Sequence, residues 1–121
     1  MNLSTGIDLI EIERVGSAIE RHGERFLSRI YTPRELEDCA GNIESLAARF
    51  AAKEATAKAL KTGFGKIAWD EVEIRRGENR EPILILHNKA AAIAEKQNLR
   101  IWSVSLSHSQ THAIAMVVGT G

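Results

Sequence analysis

Residues 43–61, IESLAARFAAKEATAKALK, contain the longest helical pattern in the chain. Most of these residues are alanine, leucine, lysine, glutamate or arginine, which all favour helix. An apolar stripe runs along the segment beside a broad face of alanines, whose small side chains permit close approach of another backbone. The stripe consists of Leu46, Phe50, Ala57 and Leu60, and the alanine face of Ala47, Ala48, Ala51, Ala52, Ala55 and Ala59. We therefore expect a central helix.

The flanking segments predict strands and shorter helices. Strands are expected over 6–12, 69–76, 82–87, 100–107 and 112–118, and helices over 13–22, 24–31 and 89–97, with Asn88 capping the last. A further helix should start at Thr32-Pro33-Arg34-Glu35, which matches a capping box. This order indicates an α+β fold, a mostly antiparallel sheet with one long central helix and shorter helices packed on it. Its 121 residues fit a single domain over 1–121.

Composition excludes several classes of protein. Sixteen basic and sixteen acidic residues cancel, so net charge favours neither a nucleic-acid partner nor a membrane surface. No apolar run approaches the ~20 residues of a membrane span, and the first residues lack the pattern of a signal peptide. The single cysteine, Cys39, excludes an internal disulfide and is expected to be a buried structural thiol. We expect a cytoplasmic protein.

Asp8 is the first candidate functional residue. In the first predicted strand it shares a face with Ile10 and Ile12, where burial of a carboxylate is costly unless a cation or hydrogen-bond donors offset the cost. One interpretation is a metal ligand. The other is an aspartate at a strand end that accepts hydrogen bonds from backbone N–H groups, and the spacing alone favours this second one.

Glu54 and Lys58 lie on one face of the long predicted helix, because they are four residues apart. Such a carboxylate could hold Mg²⁺ while the lysine neutralises phosphate oxygens. The same spacing is also an ordinary helix-stabilising pair worth about 0.2–0.5 kcal/mol. Taken alone, the pair favours the structural interpretation.

Two later segments could contact a phosphate. Gly63 and Gly65 leave backbone N–H groups uncovered near Lys66, although a glycine after a helix usually only ends it. Ser107 and His108 fall at the end of a predicted strand and could contact a ligand or only stabilise the turn. A hydrolase serine would lie on a strand-to-helix elbow, so we exclude acyl-transfer chemistry there.

Three arginines could form a docking surface. Arg14, Arg21 and Arg25 are spaced so that they would align if their helix continued past Gly23. A basic row of this kind could receive an acidic protein surface. It could equally be a solvated helix face.

Taken together, four motifs resemble the holo-acyl-carrier-protein synthase family of 4′-phosphopantetheinyl transferases. They are Gly6-Ile7-Asp8-Leu9-Ile10-Glu11-Ile12, Arg49-Phe50-Ala51-Ala52-Lys53-Glu54-Ala55 with Lys58-Ala59, Thr62-Gly63-Phe64-Gly65, and Val104-Ser105-Leu106-Ser107-His108-Ser109 followed by Ala113-Ile114-Ala115. The resemblance covers about residues 5–118. No single motif is specific, but their occurrence in this order is.

The resemblance implies an enzyme that uses Mg²⁺ and coenzyme A. Its members hold the ion with a strand aspartate and a helix glutamate, which match Asp8 and Glu54, and contact phosphate with a lysine that matches Lys58. A serine of apo acyl carrier protein attacks the β-phosphate, phosphopantetheine is transferred and adenosine 3′,5′-bisphosphate leaves. A metal-bound water or Glu54 could take the serine proton. These roles agree with the positioning and charge neutralisation that phosphoryl transfer requires.

The resemblance also implies a homotrimer with its sites between subunits. The coenzyme site would then include Gly63, Gly65 and the Ser107-His108 turn of a neighbour, and Arg14, Arg21 and Arg25 would receive the carrier protein. Family members often have a basic loop before the central helix, but residues 41–44 contain no basic residue. Arg49 and His108 are therefore expected to bind more of the 3′-phosphate. Arg80-Glu81-Pro82 replaces the common Gly-x-Pro, which should change only the turn.

Two other functions remain open. The chain could be a coenzyme A-binding module that docks a carrier protein without turnover. It could also be a plain structural oligomer that binds neither coenzyme A nor Mg²⁺. The combination of a carboxylate pair with Lys58 favours the transferase.

Overall fold

A computed structural model describes residues 2–121. The elements in chain order are β1 (Leu3–Glu11), α1 (Ile12–His22), α2 (Glu24–Ile30), α3 (Pro33–Cys39), α4 (Ile43–Ala59), a 3₁₀ turn (Trp69–Glu71), β2 (Val72–Arg76), β3 (Pro82–Leu86), α5 (Asn88–Lys96), β4 (Ile101–His108) and β5 (His112–Thr120). The strands form an antiparallel sheet in the order β1-β5-β4 and a separate antiparallel hairpin of β2 and β3. The predicted α+β fold is confirmed.

The predicted central helix is α4. It begins where the Asn42 side chain accepts a hydrogen bond from the Ser45 backbone N–H at 2.8 Å, and it ends two residues before the predicted limit of 61. Most of its residues are buried, and it packs against β1, β2, β4, β5, α1 and α3. Alanine makes this possible, because each small side chain lets a neighbouring element approach the helix axis.

The closest approach is between β1 and α4 at Gly6. A Cβ atom added to Gly6 would lie 1.8 Å from the Ala55 carbonyl oxygen, so no larger residue fits without moving one backbone. Gly6 and Ile10 face α4, whereas Ile7 and Leu9 face the other side of the sheet and are exposed. This contact determines how far Asp8 lies from α4.

Several local predictions need correction. The first strand covers Leu3–Glu11, and Ile12 already belongs to α1. The segment 69–76 begins with a 3₁₀ turn before β2. Helix α5 begins at Asn88, with His87 as its cap residue. Each difference is one to three residues at the end of an element, the part of an element that local sequence patterns locate least well.

Two structural predictions are confirmed. Thr32 Oγ1 accepts a hydrogen bond from the Glu35 N–H at 3.1 Å, and Glu35 Oε1 accepts one from the Thr32 N–H at 2.9 Å, which completes the capping box. Cys39 is 3% exposed, and burial raises the pKa of its thiol, so it is a poor nucleophile.

Over residues 2–121, no helix has both the length and the apolarity to cross a membrane.

Candidate functional site

A cavity of about 410 Å³ opens between β1, α1, α2 and α4. It is lined by Asp8, Leu9, Ile10, Arg14, Val15, Ala18, Phe26, Phe50 and Glu54. The rings of Phe26 and Phe50 stack with centroids 6.4 Å apart and form part of the apolar wall. Asp8, Arg14 and Glu54 are the charged residues of this lining, and its other residues are apolar.

Asp8 enters the site from β1 and Lys58 from α4. Lys58 Nζ lies 3.2 Å from Asp8 Oδ1 and donates a second hydrogen bond to the Ile7 carbonyl oxygen at 2.9 Å. The side chain of Asp8 is 19% exposed, and that of Lys58 is 56% exposed. The structure therefore brings together two of the three predicted catalytic residues in direct contact.

Glu54 lies one helical turn before Lys58 and is half-buried. Burial raises the pKa of the Glu54 carboxyl, the negative charge of Asp8 raises it further, and Lys58 opposes the shift. Asp8 and Glu54 line the same cavity, so their negative charges repel each other there. A cation between them would relieve that repulsion.

The carboxylate pair has the composition of a magnesium site. The described residues 2–121 contain no group of three or more His, Cys, Asp or Glu side chains that could hold a metal ion. Mg²⁺ does not need one, because it usually binds one or two carboxylates and completes its shell with water and substrate phosphates. Asp8 and Glu54 could therefore supply the protein ligands of one Mg²⁺ ion.

The three predicted docking arginines are exposed, but they do not belong to one helix. Helix α1 ends at His22, and Gly23, with φ of 52°, turns the chain before α2 begins at Glu24. Arg14 lines the wall of the cavity, whereas Arg25 lines a neighbouring cleft of about 230 Å³ together with Phe26 and Arg29.

Sequence reasoning missed the aromatic wall and Arg29. Sequence patterns give Phe26 no role, and they assign Phe50 to the apolar stripe and not to a site. Arg29 could have been predicted from its spacing of four residues from Arg25, which places both arginines on one face of α2.

The remaining predicted coenzyme contacts lie elsewhere in the single chain. Gly65 lines a third cleft, of about 390 Å³, together with Lys66 and Trp69. Gly63 is exposed in the same loop. Arg49 is only 5% exposed, and its Nε donates a hydrogen bond to the Ile74 carbonyl oxygen, so little of its surface can reach a phosphate.

Ser107 and His108 are exposed at the end of β4 and do not line the Asp8–Glu54 cavity within the part of the chain that the structure describes. Ser107 pairs with Ile114 of β5, which in turn pairs with Leu9 of β1. These three residues therefore share the sheet face that points away from α4.

We call this side of the three-stranded sheet the open face. Its exposed apolar residues are Leu3, Ile7, Leu9, Ile101 and Met116. Several large apolar side chains on one sheet face are unusual on a surface that contacts only water. The open face is therefore a candidate interface.

Comparison with known proteins gives consistent matches over nearly the full chain. The family model described as the 4′-phosphopantetheinyl transferase superfamily matches residues 4–117. A holo-[acyl-carrier-protein] synthase of Herpetosiphon aurantiacus is 48% identical over 98% of this chain and 99% of its own, and one of Koribacter versatilis is 43% identical over 98% of both. The crystal structure of Helicobacter pylori holo-[acyl-carrier-protein] synthase in complex with coenzyme A superposes with a TM-score of 0.88 at 31% identity, over 96% of this chain and 99% of that one.

Proposed function

The chain belongs to the 4′-phosphopantetheinyl transferase superfamily, and from this premise we propose that it is a holo-[acyl-carrier-protein] synthase. It transfers 4′-phosphopantetheine from coenzyme A to a serine of apo acyl carrier protein. The observation that supports this most directly is the meeting of Asp8 and Glu54, which are far apart in the chain, at one cavity beside Lys58.

The reaction exchanges one phosphorus–oxygen bond for another. The serine oxygen forms a bond to the β-phosphorus of coenzyme A, and the bond from that phosphorus to the bridging oxygen of the pyrophosphate breaks. The leaving group is adenosine 3′,5′-bisphosphate, and the serine proton passes to Glu54 or to a water. Such a transfer needs positioning and charge neutralisation more than covalent participation by the protein.

Asp8 and Glu54 would hold the Mg²⁺ ion of this reaction, which when bound neutralises charge on the pyrophosphate. Lys58, with more than half of its side chain exposed, can extend to a phosphate oxygen. Phe26 and Phe50 form an apolar wall of the same cavity. Arg14 at the cavity, Arg21 on α1 and Arg25 at the neighbouring cleft offer exposed positive charge for the acidic carrier protein.

We further propose a homotrimer whose subunits meet through the open face. That face carries five exposed large apolar side chains, and Ser107 lies on it. A second subunit seated there could bring its own cavity to the Ser107-His108 turn, which a single chain keeps apart from Asp8. The contacts of Gly63, Gly65 and Arg49 with coenzyme A remain predictions of the same arrangement. We also propose a cytoplasmic location and a role in fatty acid biosynthesis.

The test is the mass of a purified apo acyl carrier protein after incubation with coenzyme A and Mg²⁺. We expect a gain of one phosphopantetheine group. Asp8→Asn and Glu54→Gln should each lower the rate by about 10²–10³-fold or more, the scale of losing one electrostatic contact to the transition state. Glu95→Gln is the matched control, because Glu95 is exposed on α5 and its ion pair is with Arg100, which has no role in the proposed site.

Other outcomes would identify the competing functions. Binding of coenzyme A by calorimetry without any release of adenosine bisphosphate would indicate a non-catalytic module. If neither coenzyme A nor Mg²⁺ raises the melting temperature, the chain is a structural oligomer, since a specific ligand at 100 times its Kd should add about 2.7 kcal/mol.

The trimer has a separate test. Met116→Lys places a charge in the middle of the open face, and analytical ultracentrifugation should then show monomers where the unmodified protein forms trimers. Transfer activity should fall with the assembly, although Asp8, Glu54 and Lys58 are unchanged. A monomeric unmodified protein with full activity would contradict this part of the proposal.

A further inference from the structure

Without coenzyme, the Lys58 ammonium group is bound to the protein. Its Nζ contacts two acceptors on β1, the Ile7 carbonyl oxygen and Asp8 Oδ1, at 2.9 and 3.2 Å. Asp8 is one of the two carboxylates that would hold the metal ion. The ammonium therefore occupies an oxygen that belongs to the proposed metal site.

An ammonium and a divalent cation at one carboxylate repel each other. Mg²⁺ binds carboxylate oxygen at about 2.0–2.1 Å, so an ion on Asp8 would lie within a few ångströms of Lys58 Nζ. Repulsion at that distance is substantial even beside water. The ion can bind well only if Lys58 moves away.

Moving Lys58 away from Asp8 costs little free energy when another acceptor is available to its ammonium group. More than half of the side chain is exposed, and a pair of this kind contributes about 0–1 kcal/mol. The lysine stem is flexible and carries three donors at its end. Phosphate oxygens of a bound coenzyme would satisfy those donors and remove the ammonium from Asp8.

We propose that Lys58 acts as a placeholder for the metal ion, so that the divalent cation and coenzyme A bind cooperatively. The inference rests on the proposed function, because it takes Asp8 and Glu54 as the metal ligands. The cation alone binds weakly, since Lys58 competes for Asp8. Coenzyme A withdraws Lys58, and by linkage each ligand raises the affinity for the other by the same factor.

The first experiment measures binding of Mn²⁺, as a spectroscopic substitute for Mg²⁺, by electron paramagnetic resonance of the free aquo ion. Without coenzyme, Lys58→Met should bind Mn²⁺ more tightly than the unmodified protein, by up to about fivefold, the factor that corresponds to a contact worth about 1 kcal/mol. Methionine keeps the apolar stem and removes the charge. Lys61→Met is the matched control: it removes a charge from the exposed end of the same helix region, away from the Asp8 contact, and should leave the Mn²⁺ affinity unchanged.

The second experiment repeats the titration with saturating coenzyme A. The unmodified protein should show a gain in Mn²⁺ affinity within the usual range of about 5–150-fold for coupled sites. In Lys58→Met the gain should be smaller by the factor found in the first experiment, because no competitor remains to be withdrawn. The gain should be the same in Lys61→Met as in the unmodified protein.

Three results would overturn the placeholder role. They are an unchanged Mn²⁺ affinity in Lys58→Met, no measurable Mn²⁺ binding in that variant, and a rise in coenzyme-free Mn²⁺ affinity in Lys61→Met as large as that in Lys58→Met, which would be a general effect of charge. These measurements need no turnover. Failure of the transfer assay with a confirmed Lys58 effect would disprove the enzyme and leave the metal competition standing, and the reverse result would disprove the placeholder alone.

Discussion

Lys53 and Lys58 both lie on α4 and both pair with a carboxylate from another element, but water reaches only one of the two pairs. Lys53 Nζ lies 2.8 Å from Glu35 Oε1, and both side chains are 0% exposed. Lys58 pairs with Asp8 at the surface. The same residue types therefore form a fixed contact in one place and an exchangeable contact in the other.

Further hydrogen bonds explain why the inner pair is fixed. Lys53 Nζ also donates to the carbonyl oxygens of Trp69 and Val72, and Glu35 Oε2 accepts from the Ile74 N–H at 2.8 Å. Burial lowers the pKa of Lys53, and the Glu35 carboxylate opposes that shift. The pair joins α3, α4 and β2, so neither partner can leave without opening the core.

The difference indicates what each lysine can do. A buried charge that loses its partner has neither water nor an opposite charge to stabilise it. Lys53 therefore cannot exchange Glu35 for another partner without a large energetic cost. An exposed charge can exchange one partner for another at small cost. Two lysines of one motif thus have different roles. Lys53 holds the elements together, and Lys58 remains available to a ligand.

The strongest test of this comparison is Lys53→Met. It should lower the free energy of unfolding by about 3–5 kcal/mol, because Glu35 would stay buried without its cation. Urea denaturation at fixed protein concentration measures the effect, since assembly makes apparent stability concentration-dependent. Replacing both partners, Lys53→Met with Glu35→Leu, should recover part of the loss. A loss below 1 kcal/mol in the single variant would contradict the fixed role.

A second test changes the spacing of the outer pair without touching it. Gly6→Ala places a Cβ against the Ala55 carbonyl and forces β1 away from α4. We expect a loss of about 1–3 kcal/mol in stability by urea denaturation. The transfer rate should also fall, because Asp8 moves away from Glu54. Gly16→Ala is the control, since the nearest atom to its added Cβ is the end of the Ile43 side chain at 3.8 Å. Full activity in Gly6→Ala would show that the close approach does not position the site.

A third, smaller effect concerns another buried carboxylate, Glu73. Burial would raise the pKa of Glu73, but hydrogen bonds from Thr32 and His87 and the charge of Arg75 outweigh it, and the net pKa is lowered. A lowered pKa stabilises the fold above the ordinary glutamate value of about 4.3, and this stabilisation is lost as pH falls through the folded value. Glu73→Gln should therefore be less stable than the unmodified protein at neutral pH and lose less stability on acidification.

Urea denaturation between neutral and acidic pH would measure this dependence. The exposed turn residue Glu78, changed to Gln, provides the control and should leave the pH profile unchanged. Parallel profiles for Glu73→Gln and the unmodified protein would show that the Glu73 network contributes nothing to acid stability.

The smallest effect is expected for the outer pair itself. Lys58→Met should change the free energy of unfolding by only about 0–1 kcal/mol, and added salt should weaken the contribution further. The measurement is the same urea denaturation as for Lys53→Met, at low and high ionic strength. A loss as large as that of Lys53→Met would remove the distinction between the two lysines.

Local patterns predicted much of the fold and part of the site. The capping box at Thr32, the alanine-rich helix and the antiparallel strands follow from residue order over a few turns. The motifs also selected Asp8, Glu54 and Lys58, although each had a structural interpretation with equal or greater weight. Burial of Arg49 was not predicted, because the same helix position could face either the core or a ligand.

The sequence by itself determined the elements, their order and the types of charge available, because these depend on neighbours along the chain. Only the tertiary structure decided that Asp8 meets Lys58 and that Glu35 meets Lys53. Those contacts depend on where β1 and α3 pack against α4, and Gly6 permits the first of them. The energy of a charged side chain depends on how far it lies from water and from other charges. In this chain both of these distances are determined by the packing of segments that are far apart in sequence.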